Sequence, residues 1–127
     1  VLRNLPNYHY VEAPTTTCKF VFQMDDQEKM EYGQQVRQHF ADTVEAVKKY
    51  HAKLLVMDEV LDAVAMGMLS DEALAEFLRN RPEDLEVVMT GRAPTPCTDP
   101  LADYITRMQK VRHPFDKGLN ARLGVEF

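Results

Sequence analysis

Two strand ends carry the residues whose types and spacing could do chemistry. Lys53-Leu54-Leu55-Val56-Met57 is a continuous apolar run that stops at Asp58-Glu59, and Leu85-Glu86-Val87-Val88-Met89 runs straight into Thr90-Gly91-Arg92. Carboxylates at the carboxyl end of a buried strand can hold Mg2+, directly or through water, beside bound phosphates. The same pattern arises wherever a buried strand meets an acidic loop. At the second strand end, Arg92 could grip a phosphate through its planar fork, and Gly91 would admit a close backbone approach. The plain alternative there is a turn glycine followed by a solvated arginine. Phe20 and Phe22 would share one face of an extended segment, as core residues also do. His113, between Arg112 and Pro114, forms a cationic corner that could face phosphate or merely solvent. The four histidines, His9, His39, His51 and His113, lack zinc-ligand spacing, and none stands with a Ser or Cys as base and nucleophile.

The elements that must position these residues follow from periodicity and punctuation. Asp25, with Glu28 three residues on, reads as the N-cap of a helix with a near capping box. Met30, Val36, Phe40, Val44 and Val47 then recur at helical spacing, which predicts a long amphipathic helix to about Tyr50. Continuous rather than alternating apolarity in 53–57 and 85–89 predicts parallel strands buried on both faces. Ser70 opens a second helix with Asp71 and Glu72 in its first turn; Leu74, Phe77 and Leu78 face the core and Pro82 ends the pattern. Tyr8-His9-Tyr10-Val11 and the stretch near Tyr104 to Met108 are strand candidates. Prolines 94, 96 and 100 make 93–100 a loop, and Leu101-Ala102-Asp103 a short helical turn. Strands alternating with helices predict an α/β domain with a mostly parallel sheet, one domain over 1–127.

The composition is that of an ordinary globular chain: 127 residues, 45% hydrophobic and 28% charged. A net charge of -5 argues against a nucleic-acid binder, which would carry a basic face. No apolar run reaches the roughly 18 residues of a membrane span, and no signal-peptide pattern opens the chain. Cys18 and Cys97 form no CxxC, so a reducing, cytoplasmic setting is expected. The first residue is Val1 rather than Met, and a missing N-terminal part is expected.

In order, Leu54-Leu55-Val56-Met57-Asp58-Glu59, Asn80-Arg81-Pro82, Leu85 to Arg92, Ala102-Asp103, Val111-Arg112-His113-Pro114-Phe115 and Gly124-Val125-Glu126-Phe127 resemble the C-terminal half of the P-loop ATP:corrinoid adenosyltransferases. The resemblance is close from Asp58 to Phe127 and looser along the long helix. Phe20-Val21-Phe22-Gln23 resembles the Phe-x-Trp segment of that family. It implies a P-loop NTPase (RecA-like) α/β fold, truncated at the N-terminus, in which Asp58-Glu59 is the Walker B element. It also implies transfer of the 5′-deoxyadenosyl group of ATP to the cobalt of cob(I)alamin or a precursor corrinoid, with triphosphate leaving, in adenosylcobalamin synthesis.

On the same resemblance Glu59, with Asp58, serves Mg2+, and Phe20 and Phe22 lie under the corrin ring. Thr90, Gly91, Arg92 and His113 would then contact the nucleotide. The implied partners are ATP, the corrinoid, a reductase or flavodoxin-like electron donor, and a second copy in a homodimer; no nucleic acid or membrane is implied. Two departures stand out. Leu61 occupies a place where many members have a polar residue, and no GxxxxGK(S/T) loop occurs in the chain. A P-loop-less remnant that binds a corrinoid or dimerises without turnover is therefore the alternative reading.

Overall fold

The longest element of the computed structural model, which describes residues 4–12, 21–120 and 122, is the helix α1, Asp26–Tyr50. Its start is the expected capping box: Asp25 Oδ1 accepts the Glu28 N–H at 2.8 Å, and the Asp25 N–H donates to Glu28 Oε2 at 3.0 Å. Such a cap contributes about 1 kcal/mol. The helix stops at His51, which adopts left-handed backbone (φ 49°) and donates its N–H to the Lys48 carbonyl. Gly33, Thr43 and Val47 are its buried residues. Met30, expected on the inner stripe, is 59% exposed. Gly33 is buried on that side instead, where a Cβ would lie 3.0 Å from Arg37 Nη1 and 3.4 Å from Met68 Sδ.

Two strands follow, β1 (Leu54–Met57) and β2 (Glu86–Met89), paired in parallel with Leu54 opposite Glu86 and Met57 opposite Met89. The crossover between them holds two helices, α2 (Val60–Ala65) and α3 (Asp71–Arg79). The sequence pattern had suggested α3 and missed α2. The result is a small α/β arrangement with a two-stranded parallel sheet. One sheet face makes the core: Met57, Leu69 and Leu74 are buried, with Val36, Phe40, Leu55, Val87 and Met89 packed against them. Phe40 and Phe77 meet edge to face at 5.9 Å.

Burial of both strands on both faces is not what the chain achieves. Leu54, Val56 and Val88 point to the other face and stand 59%, 58% and 45% exposed. Nothing among the described residues covers them, although parallel sheets are normally covered on both sides. The expected third strand is also corrected. Residues 104–110 join no ladder, and Tyr104 and Met108 are 94% and 92% exposed. A strand exists only through a hydrogen-bonded neighbour, and no described strand lies alongside. Tyr8 to Val11 is likewise not a strand. It runs against α1, with the His9 ring stacked on Tyr50 at 3.6 Å and the Val11 carbonyl 3.2 Å from His39 Nε2. Val21–Gln23 is a 3-10 turn rather than extended, and the short turn expected at 101–103 falls at Asp99–Leu101. No helix among the described residues is long and apolar enough to cross a membrane.

The proline-rich loop after β2 is tied to the start of α3. The Asp71 carboxylate accepts from the Thr95 hydroxyl and from the Cys97 N–H at 3.1 Å, and Thr98 is buried beneath them. Burial pushes the Asp71 carboxyl upward, but the hydrogen bonds from Thr95 and Cys97 outweigh it and hold it below its ordinary value. Cys97 is a free thiol hydrogen-bonded towards Asp71 and Glu72, and these acceptors together with burial push it up to about 11. Since its folded pKa is raised, the thiol's contribution is complete below the ordinary thiol range and is lost as pH climbs from there through about 11. Alkylation of Cys97 should therefore stay slow at pH 8 and reach its half-maximal rate near pH 11, and Asp71→Asn should shift that midpoint downward. Leu74, with no exposed surface, sets the core: Leu74→Ala should cost about 3 kcal/mol in denaturant unfolding.

Candidate functional site

The parallel register brings the two strand ends side by side. The Thr90 N–H donates to the Met57 carbonyl at 3.1 Å, extending the ladder one step past β2. Asp58 and Thr90 then face each other, and the Thr90 hydroxyl donates to Asp58 Oδ1 at 2.6 Å. The Thr90 hydroxyl oxygen in turn accepts the Glu59 N–H at 2.8 Å. Leu61 donates its N–H to the Thr90 carbonyl at 3.3 Å, and the Arg92 N–H donates to Asp62 Oδ1 at 3.4 Å. The turn after β1 and the turn after β2 are thus laced together residue by residue.

Glu59 is the strained member. It adopts left-handed backbone, φ 55° and ψ 18°, immediately before α2. That conformation costs a non-glycine residue roughly 1–2 kcal/mol, and the hydrogen bond to Thr90 helps to hold it. Its side chain makes no cap to α2 and is exposed. Asp58 is exposed too, with one carboxylate oxygen engaged by Thr90. These oxygens suit a hard cation such as Mg2+, which is commonly held by one or two carboxylates and completed by water and phosphate oxygens. Among the described residues no three His, Cys, Asp or Glu side chains gather closely enough to hold a metal by themselves.

Of the residues singled out in the sequence, Asp58, Glu59, Thr90, Gly91 and Arg92 come together, with two changes of meaning. The element that approaches Gly91 is α2: a Cβ on Gly91, whose φ is 155°, would lie 2.6 Å from Leu61 Cβ and 3.2 Å from the Asp62 nitrogen. Close approach at this glycine is therefore a packing matter within the chain. The Arg92 side chain is 93% exposed, its Nε 3.9 Å from Asp62 Oδ1, a loose surface pair of small energetic weight. His113 does not join this edge through any hydrogen bond or ion pair among the described residues; its Nδ1 accepts the Phe115 N–H at 3.1 Å and caps the turn Pro114–Lys117. Phe20 and the side chain of Phe22 lie outside the described residues.

Two features escaped the sequence reading. Asp62 was missed, although it lies one helical turn beyond Asp58-Glu59, a spacing that returns a side chain to the same edge. A cavity of about 280 Å³ beside the acidic turn was missed as well. It is lined by residues distant in sequence, among them Tyr32, His39, Phe40, Met57, Asp58 and Met68. Only the packing of α1 on α2 and β1 creates it, so no local signal could have found it.

The family model of the ATP:corrinoid adenosyltransferases BtuR/CobO/CobP matches residues 2–127. The chain is similar to the corrinoid adenosyltransferase of Escherichia coli (strain K12), at 27% identity over 98% of this chain and 63% of the relative. It is 28% identical to corrinoid adenosyltransferase CobA of Salmonella typhimurium (strain LT2), with the same coverage. Against the corrinoid adenosyltransferase of Pseudomonas aeruginosa it reaches 38% identity over 58% of this chain and 36% of the relative. The chain thus spans 63% of the length of the first two relatives. Whatever passes over this edge, its geometry depends on Gly91. Gly91→Ala should destabilise the fold by about 1–3 kcal/mol, and the loss should shrink when Leu61→Ala is added, measured as a double-mutant cycle in urea.

Proposed function

This chain belongs to the ATP:corrinoid adenosyltransferase family, and from that premise we propose that it serves the transfer of the 5′-deoxyadenosyl group from ATP to the cobalt of a reduced corrinoid, in adenosylcobalamin synthesis. The observation that carries the reading is the meeting of Asp58 and Glu59 with Thr90 at the carboxyl edge of a parallel sheet, where α/β proteins bind their ligands. In this reaction Co(I) attacks C5′ of the ribose, the Co–C bond forms, and the C5′–O bond breaks with its electron pair leaving on triphosphate. No protein nucleophile and no activated water are needed. The chain's task is to orient ATP with C5′ exposed and to keep water from the cobalt.

In this reading Asp58 and Glu59 hold Mg2+, which when bound disperses charge on the leaving triphosphate. Arg92, solvated and only loosely paired with Asp62, can turn to a phosphate at little cost. His113, Thr90 and Gly91 are its proposed companions on the nucleotide side. Phe20 and Phe22 would sit beneath the corrin ring, where an apolar ring edge offers cobalt no lone pair, so the lower axial ligand is displaced and the metal becomes easier to reduce. A reductase or flavodoxin-like protein would supply the electron. The uncovered face bearing Leu54, Val56 and Val88 supports an assembled state, for which we propose a homodimer of RecA-like P-loop-type domains.

A second reading has one observation in its favour: the 127 residues contain no GxxxxGK(S/T) loop, whose amides and lysine would hold the triphosphate. The chain would then bind a corrinoid without turnover. Adenosylation of reduced corrinoid, followed by its absorbance change in the presence of ATP and Mg2+, separates the two. Turnover that drops about 10- to 100-fold in Glu59→Ala supports the transferase with its metal assignment. Turnover unchanged in that variant removes the assignment, and corrinoid binding without any turnover favours the second reading.

A further inference from the structure

Thr90 was singled out as a nucleotide contact, yet its hydroxyl is already engaged inside the protein, its one proton included. It has one proton, and that proton goes to Asp58 Oδ1 at 2.6 Å, because an ionised carboxylate only accepts. Its oxygen accepts the Glu59 N–H at 2.8 Å. One side chain therefore fixes both halves of the acidic turn, a carboxylate orientation and a backbone conformation. The backbone conformation matters because Glu59 sits at φ 55°, a region that non-glycine residues avoid unless the surroundings hold them there. Without that hydrogen bond the Glu59 peptide is free to relax, and the direction in which its carboxylate leaves the chain changes with it. The strand ladder then locates Thr90 itself: its N–H is bonded to the Met57 carbonyl and its carbonyl to the Leu61 N–H, so the hydroxyl is carried on a backbone fixed at both ends.

We infer that Thr90 is the positioning residue of the Asp58-Glu59 turn, acting on a bound divalent cation only through these two acids. The inference rests on the cation-site reading given above and assigns to Thr90 a role different from phosphate contact. A hydroxyl oriented in this way resembles the outer partners of metal ligands in general, whose removal weakens metal binding about 10- to 100-fold. Thr90 is exposed at the end of β2, so an isosteric Val can replace it without a cavity.

The test uses the complete 127-residue chain with Mn2+ as the probe, read by paramagnetic broadening of assigned amide signals. Thr90→Val should weaken Mn2+ binding at the turn at least tenfold, while Thr90→Ser, which keeps the hydroxyl, stays within about threefold of the wild type. Asp58→Asn and Glu59→Gln, measured in parallel, should each weaken it as well. If Thr90→Val binds Mn2+ as the wild type does while the two acid variants do not, the positioning role is overturned and the cation site stands. If the acid variants leave Mn2+ broadening unchanged, the cation site fails and the inference falls with it. One measurement needs no variant: the Glu59 amide of the wild type should exchange with solvent at least tenfold more slowly than an unbonded amide, and fast exchange overturns the inference even where Thr90→Val does not fold.

Discussion

The parallel register of β1 and β2 is the constraint on which the rest depends. Pairing Met57 with Met89 places Asp58 directly across from Thr90, and a shift of one residue would aim either partner at the opposite face. That register is specified by burial. Leu55, Met57, Val87 and Met89 all reach the face packed against Leu69 and Leu74, and a slip would exchange them for Leu54, Val56, Glu86 and Val88. A core contact thus fixes a distance of 2.6 Å at the surface, with no ligand needed to set it. Asp71 adds a second anchor by fastening the Thr95–Thr98 turn to α3, which limits where the chain leaving Arg92 can travel.

Much of this was legible in the sequence because it is local. The Asp25 and Glu28 capping box, the Ser70 cap and the two apolar runs are signalled within a few residues, and all formed where expected. The acids at the end of β1 and the Thr-Gly-Arg at the end of β2 were recognisable as a pair because both strands end at the same sheet edge. What escaped was set by neighbours. Met30 fits a helical stripe as well as Gly33 does, and only the packing of the folded chain around Gly33, where Arg37 and Met68 close in, distinguishes them. The stretch from Tyr104 to Met108 has the composition of a strand, but composition supplies no hydrogen-bonding partner. Gly91 was readable as a glycine that something approaches closely; that the something is Leu61 required the fold.

The uncovered sheet face is informative for the same reason. Val56 and Val88 are cross-strand partners that lie side by side in solvent, and a continuous apolar strand is otherwise the mark of burial on two sides. The sequence pattern and the exposure agree if this face meets further protein.

The central claim is that the two strand ends form one site for a cation and a phosphate chain. Titration of the isotope-labelled chain with Mg2+ and inorganic triphosphate, the proposed leaving group, tests it most directly through its amide spectrum. The account predicts that the amides from Asp58 to Asp62 and from Thr90 to Arg92 shift together and saturate with one common constant. Shifts confined to one of the two turns, or spread without saturation over the acidic surface, would contradict it.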